Sequence, residues 1–259
     1  MKVIINADDL GYSQGTNDII FALMDHRRIT STTLLANSPA FADAVRRIPD
    51  YGGFSFGVHL NLTEFQPLTR PQIFSDTGMV DGKGRFSASG SLRKVSPSPA
   101  LKEAILREWE EQVTKVLDSG VRISHFDSHH HAHTLSWLFT TFKKLQKRFG
   151  MRKVRGTYNW YYGEKRQPSS GLLLRKKAWN WALRNYYKTR TTDYFTNFNR
   201  FSENLSAGAG HPGIWELMCH PGQPYLPGQR YVENERELLW SEWVQKSPVT
   251  IELISYNQL

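Results

Sequence analysis

Val121-Arg122-Ile123-Ser124-His125-Phe126 runs directly into Asp127-Ser128-His129-His130-His131-Ala132-His133. Apolar Val121 and Ile123 alternate with polar neighbours, the pattern of a half-buried strand, and a helix-like run begins soon after the histidines. Four of the nine histidines, His129, His130, His131 and His133, therefore fall within five positions where a strand ends. In extended chain, side chains two apart share a face, so Asp127, His129, His131 and His133 are expected on one side and His130 on the other. Histidine-rich tracts are associated with metal sites, against the blander reading of a polar surface loop. One segment seldom fills a coordination sphere, so further ligands are expected from elsewhere in the chain.

The same strand-then-helix unit recurs on both sides. Lys2 to Asn6 is an apolar strand that opens onto Ala7-Asp8-Asp9-Leu10-Gly11-Tyr12-Ser13, and Ile19, Ile20, Leu23 and Met24 then follow at helical spacing. Thr32 to Ala36 is a second strand, and Ser38-Pro39 is the expected start of a helix reaching about Arg47, because serine caps free amides and proline suits the first turn. Phe54 to Leu60 is a third, ending in Gly57-Val58-His59-Leu60-Asn61-Leu62-Thr63. From Glu64 to about Pro99 prolines and glycines break every period, and a loop over the active site is favoured there over a surface insertion. Leu101 to Asp118 and Trp137 to Phe149 are helices stopped by Gly120 and Gly150. Strands are expected to begin at Lys153-Val154-Arg155-Gly156 and to cover Asp193 to Phe198, Trp215 to Cys219 and Val249 to Ile254, with a helix from Val232 to Gln245. Without repeats or linkers, residues 1–259 are expected to form one domain: a (β/α) barrel, or a distorted TIM-like barrel, of seven or eight mostly parallel strands.

Composition narrows the chemistry. No run approaches the roughly 20 apolar residues of a membrane span, and Met1 to Asn6 lacks the apolar core and cleavage site of a signal peptide, so a cytoplasmic protein is expected. Cys219 is the single cysteine, which excludes an internal disulfide and a thiolate cluster. Any metal must take histidine and carboxylate ligands. The net charge of +9 invites polyanions, yet no zinc-finger spacing, RNP-like strand or basic-leucine repeat supports nucleic acid, and a phosphorylated small substrate explains the charge as well. Tyr158 to Arg190 is crowded with aromatic and basic residues. Three readings stand for it: a wall where rings stack on sugars, a basic helix in peripheral contact with anionic lipid through residues 171–190, or an ordinary solvated helix. A homodimer is compatible with all of them.

In a (β/α) barrel the reactive residues gather where the strands end. Asp8 and Asp9 follow the first strand, His59 closes the third, Asp127 and His129 follow the histidine strand, Arg155 lies late in the next and His220 follows a late one. All are expected at one mouth, and one carboxylate with two imidazoles suits a divalent catalytic ion that keeps open positions. Each has an ordinary alternative: a helix cap for one of the aspartates, a satisfied strand-end histidine for His59, a turn at His220-Pro221, a surface charge for Arg155.

Asn6-Ala7-Asp8-Asp9-Leu10-Gly11, Ser31-Thr32-Thr33, Gly57-Val58-His59-Leu60, His125 to His133, Thr192-Asp193-Tyr194-Phe195 and Glu216-Leu217-Met218-Cys219-His220-Pro221-Gly222 together resemble the YdjC-like carbohydrate deacetylase family, which includes chitooligosaccharide deacetylase. The resemblance implies Asp9, His59 and His129 as ligands of one divalent ion, Mg2+ or Zn2+, and Asp8 as catalytic base. Analogy with related deacetylases makes His220 the general acid. Arg155 is expected to contact substrate or orient the base, and Asp127 to hold a ligand imidazole. The implied reaction is hydrolysis of an N-acetyl group on an amino sugar or oligosaccharide, free, phosphorylated or lipid-linked, with release of acetate. The rivals are another metal hydrolase such as a phosphoesterase, and a non-catalytic binder of acidic glycan, anionic lipid or nucleic acid. One departure stands out: Phe65 occupies the position where similar proteins carry glycine in Leu-Thr-x-Gly-x-Pro.

Overall fold

The structure is a computed structural model that describes residues 1–87, 92–161, 168–185, 188–205, 210–222 and 230–259. Its elements alternate as β1 (Lys2–Leu10), α1 (Gln14–Asp25), β2 (Ser31–Leu34), α2 (Phe41–Arg47), β3 (Ser55–Leu60), α3 (Gln72–Asp76), α4 (Pro99–Asp118), β4 (Ile123–Ser128), α5 (Phe139–Arg148), α6 (Ser170–Asn185), β5 (Tyr194–Asn197), α7 (Phe198–Leu205), β6 (Ile214–Cys219), α8 (Arg230–Trp240) and β7 (Glu252–Leu253). The seven-stranded sheet runs β4-β3-β2-β1-β6-β5, with β7 beside the start of β1. Every pairing between these seven strands is parallel. The sheet curls into a half-barrel, a distorted TIM-like barrel, as the repeated units predict.

Helices cover the strands because both strand faces are apolar. Val3, Ile5, Ala7 and Leu10 of β1 are buried, and Ile20, Phe21, Leu23 and Met24 of α1 pack into the same core. Buried side chains of this size stabilise by about 1.5–3 kcal/mol each. Helix starts follow the caps: Ser13 Oγ accepts from Thr16 N at 3.1 Å, and Ser98 Oγ from Leu101 N at 3.1 Å ahead of Pro99.

Several local expectations are corrected. Ser38 does not cap a helix; its hydroxyl donates to Leu35 O at 2.7 Å, and α2 begins at Phe41. The segment after α5 forms only isolated bridges, Phe126 with Val154 and Lys153 with Arg190, so Arg155 is presented by a bridged edge and not by a full strand. With single bridges at Val154 and Lys153, no continuous ladder forms there among the described residues. The last strand shrinks to Glu252–Leu253 because it meets only the first residues of β1. The expected helix to Gln245 ends at Trp240 and continues as turns. Within the long connection from Glu64 to Pro99, α3 and an antiparallel bridge between Val80 and Phe86 form, and residues 88–91 lie outside the described residues. Tyr162, Lys165, Arg166, Tyr186 and Tyr187 of the aromatic basic segment also lie outside them.

Candidate active site

The carboxyl ends of β1, β3, β4 and β6 deliver their polar residues to one place. β1 runs further than the apolar pattern alone predicts, so Asp8 and Asp9 sit on the strand itself, with Asp9 in left-handed backbone at φ 71. That conformation, uncommon outside glycine, turns the Asp9 carboxylate away from the alternation of the strand. The histidine tract does not continue as extended chain. His129 to Thr134 is a tight turn, with His130 and His131 left-handed at φ 50 and 56. The expected shared face of His129, His131 and His133 is therefore broken, and only His129 joins the central cluster.

That cluster has a definite geometry. Asp9 Oδ1 lies 2.9 Å from His129 Nδ1 and 3.4 Å from His59 Nε2, and the two imidazole nitrogens are 3.3 Å apart. Three donor atoms, two on β1 and β3 and one just past the end of β4, thus face a common point. On its far side, His59 Nδ1 is held 2.7 Å from Asp127 Oδ1, which fixes the ring with Nε2 toward the cluster. Thr33 Oγ1 donates to Asp127 Oδ2 at 3.1 Å.

Arg155 is buried and grips three carboxylates. Nη1 and Nη2 bind Asp8 Oδ2 and Oδ1 at 2.7 and 2.6 Å, Nη1 also reaches Asp127 Oδ2 at 2.8 Å, and Nε donates to Glu216 Oε1 at 2.7 Å. Its ordinary alternative, a surface charge, is excluded by that burial. Asn6 Nδ2 adds a bond to Asp8 Oδ1 at 2.8 Å, leaving Oδ2 as the oxygen nearest both His59 Nε2, at 3.9 Å, and His220 Nε2, at 3.7 Å. Behind this layer the Tyr256 hydroxyl donates to Glu216 Oε2, and the Tyr256 ring stacks on His125 with centroids 3.5 Å apart. Gly57 leaves room for that stack, since a Cβ there would sit 2.5 Å from His125 Cε1.

His220 projects from the loop after β6. Its backbone N–H donates to Glu235 Oε2 at 2.6 Å, Arg236 Nη2 donates to Pro221 O at 3.1 Å and Thr16 Oγ1 to Gly222 O at 3.2 Å. The loop is therefore clamped from α1 and α8.

Burial opposes ionisation of Asp8, but Arg155 and the nearby imidazoles outweigh it and hold the carboxyl well below the ordinary range. Asp9 is lowered in the same way, by His129 and His59 against its burial. Burial also opposes protonation of His129, yet Asp9 and Glu64 push it up to about 10. Three buried carboxylates, Asp8, Asp127 and Glu216, surround the guanidinium, and a fourth, Asp9, lies beside the two imidazoles, so this interior draws positive charge to the point the imidazoles face. A divalent cation fits that demand and the oxygen and nitrogen donors present.

The remaining histidines have other surroundings. His133 is buried, with Nδ1 2.5 Å from Ser128 Oγ and its ring against Phe142, and burial lowers it to about 3. His131 meets Phe195 edge-on at 5.7 Å, and the exposed His130 has Nδ1 2.8 Å from Thr63 Oγ1. Beside the cluster, Tyr12, Glu64, Phe65, Arg85 and His130 line an open cleft of about 970 Å3. Phe65 packs against Tyr12 with centroids 5.0 Å apart and has φ 62, a backbone conformation that glycine adopts without strain. No pattern in the sequence singles out a role for Asn6, Thr33, Glu64, Glu216, Glu235 or Tyr256. Asn6, Thr33 and Glu216 lie inside motifs already quoted, whereas nothing in the sequence ties Glu235 or Tyr256 to the mouth.

The profile of the YdjC-like protein family matches residues 2–247. The chain belongs to the YdjC-like family. Among curated relatives, the carbohydrate deacetylase of Halalkalibacterium halodurans is 29% identical over 222 residues, covering 85% of each chain. That of Brevibacillus brevis is 29% identical over 237 residues, 90% of this chain and 88% of the relative. A crystal structure of an Enterococcus faecalis V583 protein, named for cellobiose-phosphate cleavage, superposes with a TM-score of 0.75 at 25% identity over 99% of this YdjC-like chain and 98% of the other.

Proposed function

We propose that this YdjC-like protein is a metal-dependent hydrolase that removes the acetyl group from an N-acetylated amino sugar, releasing acetate. The observation that carries the reading is the convergence of Asp9 Oδ1, His59 Nε2 and His129 Nδ1 beside a second carboxylate, Asp8, which Arg155 holds from behind. The curated relatives, carbohydrate deacetylases by name, supply the bond type and the substrate class.

Asp9, His59 and His129 would hold the ion, and a bound Zn2+ or Mg2+ would supply a polarised acetyl carbonyl and a more acidic water. Asp8 is the base. Arg155 and Asn6 keep it ionised and immobile, and Oδ2, facing the cluster, accepts the proton of the attacking water. His220 Nε2, 3.7 Å from that oxygen, donates a proton to the departing amine, so the C–N bond breaks to a free amino sugar and acetate. Asp127 orients His59, and Arg155 orients the base without touching substrate.

A second reading, cleavage of a phosphorylated sugar, is favoured by the name of the Enterococcus faecalis protein and by the +9 charge. One panel separates the two: N-acetylated saccharides, free, phosphorylated and lipid-linked, assayed for acetate and phosphate with and without chelator. Acetate release that stops with chelator is expected. Phosphate release without acetate, or no turnover of any substrate, overturns the deacetylase reading.

A further inference from the structure

Helix α6 is apolar on two sides. Its inner side packs on the protein: Leu183 is buried, and Trp179 meets Phe139 of α5 with ring centroids 4.3 Å apart. A helix with a single apolar face would present polar residues on the other. Here Leu174, Ala178 and Trp181, at positions i, i+4 and i+7, are all exposed, Leu174 to 69% and Trp181 to 63%. Exposed Arg175 and Lys177 flank this stripe, and residues 168–185 contain no aspartate or glutamate. The neighbouring α5 adds exposed Lys144 and Lys147.

We propose that the outer face of α6, with Leu174 and Trp181 between Arg175 and Lys177, seats the protein on an anionic lipid bilayer. A tryptophan and a leucine enter the headgroup and acyl boundary while the cations meet lipid phosphates, the arrangement of a helix lying in a membrane interface. Each lysine or arginine held near an anionic surface strengthens partitioning roughly fivefold. An exposed leucine decides between partners of the same charge: it gains nothing against the backbone of a nucleic acid, and it gains the transfer of its side chain from water in a bilayer. No helix among the described residues is long and apolar enough to cross a membrane, so the contact is peripheral. Lys176 Nζ donates to Tyr158 O at 2.6 Å and Thr157 Oγ1 to Asn180 Oδ1 at 3.1 Å, which ties α6 to the segment that presents Arg155. If the deacetylase reading holds, an amino sugar carried on a lipid is the substrate class this attachment favours. That substrate preference rests on the proposed function, whereas the lipid contact does not.

The test is co-sedimentation of the full chain with vesicles of phosphatidylcholine alone or mixed with phosphatidylglycerol, at low and high salt. Binding is expected on the mixed vesicles, at least about tenfold above the neutral ones, and weakened by salt. It should fall roughly tenfold in the L174A/W181A variant and roughly twentyfold or more in R175E/K177E. All four side chains are exposed, so unchanged thermal midpoints are expected, and K177E alone carries the comparison if a double variant loses its fold. Wild-type protein that stays in solution with mixed vesicles overturns the proposal. So does binding indifferent to lipid charge, binding that survives both double variants, or retention on a single-stranded oligonucleotide in preference to the vesicles. Acetate release is measured separately, so failure of the lipid contact and failure of the deacetylase reading are distinguishable.

Discussion

At the scale of single residues, Asp8 and Asp9 show how neighbours in sequence acquire different duties. Asp9 is turned by a left-handed φ into the cluster with His59 and His129, while Asp8 stays against Arg155. Asp8→Asn keeps an oxygen for Arg155 but no longer accepts a proton, so bound metal should persist while kcat falls by about 10²–10⁴, read as acetate release beside metal content. Normal turnover in that variant would remove Asp8 from the role of base. Arg155→Met leaves buried Asp8, Asp127 and Glu216 facing each other. Losing one partner of a buried ion pair costs about 3–5 kcal/mol, which a drop in the denaturant midpoint should show. Glu235 gives a pH signature. Burial raises it to about 8 despite the His220 N–H it accepts. Because the folded value lies above the unfolded one, its contribution is fully present below the ordinary carboxyl range and is lost as pH rises through about 8. Glu235→Gln should therefore lose less stability than the wild type between acidic and alkaline pH, by several kcal/mol at about 1.4 kcal/mol per pKa unit, in denaturation curves taken across that range.

At the scale of elements, each proposed ligand is held at a strand end and each strand end by something behind it. β3 carries His59 past Gly57, whose missing side chain admits the His125 ring and its stack on Tyr256. The loop after β6 carries His220 and closes against α1 at Gly222, where a Cβ would lie 2.6 Å from Thr16 Cα. Gly222→Ala must push this loop off α1, an overpacking of about 1–3 kcal/mol. Its thermal midpoint should fall, and kcat should fall more than KM changes, since His220 moves while the ligands stay. A variant with reduced stability and intact kcat would show that the loop does not position His220. The alternation of β and α units and the strand ends bearing Asp8, His59, His129 and His220 were legible, because apolar runs ending in polar residues are local patterns. The weak edge at Lys153–Arg155 was not, because whether a short apolar run completes a strand depends on a partner that only the curled sheet supplies.

At the scale of the whole molecule, the sheet gathers four carboxylates and one guanidinium into a buried interior, and the proposed metal dependence follows from that charge balance. Removing the ion should both abolish turnover and destabilise the fold, because binding to the native state alone adds about 4 kcal/mol at a thousand dissociation constants. Chelator is expected to lower the thermal midpoint, and Zn2+ or Mg2+ to restore it in a concentration-dependent way; a midpoint indifferent to both would argue against an ion at Asp9, His59 and His129. The sequence by itself determined the fold class, the family motifs and the residues that end the strands. The sequence marked Phe65 as a departure from the resembling motif, and the structure places it at φ 62, a backbone conformation glycine adopts without strain. Only the tertiary structure decided which histidines of the tract face the cluster, since the left-handed turns at His130 and His131 break the two-residue alternation of an extended chain. Only it brought Tyr256 and Glu216 behind Arg155, and Glu235 beneath His220. Hydrophobic periodicity is written in neighbouring residues, whereas the partners of a buried charge are chosen by the closure of the sheet, which joins positions far apart along the chain.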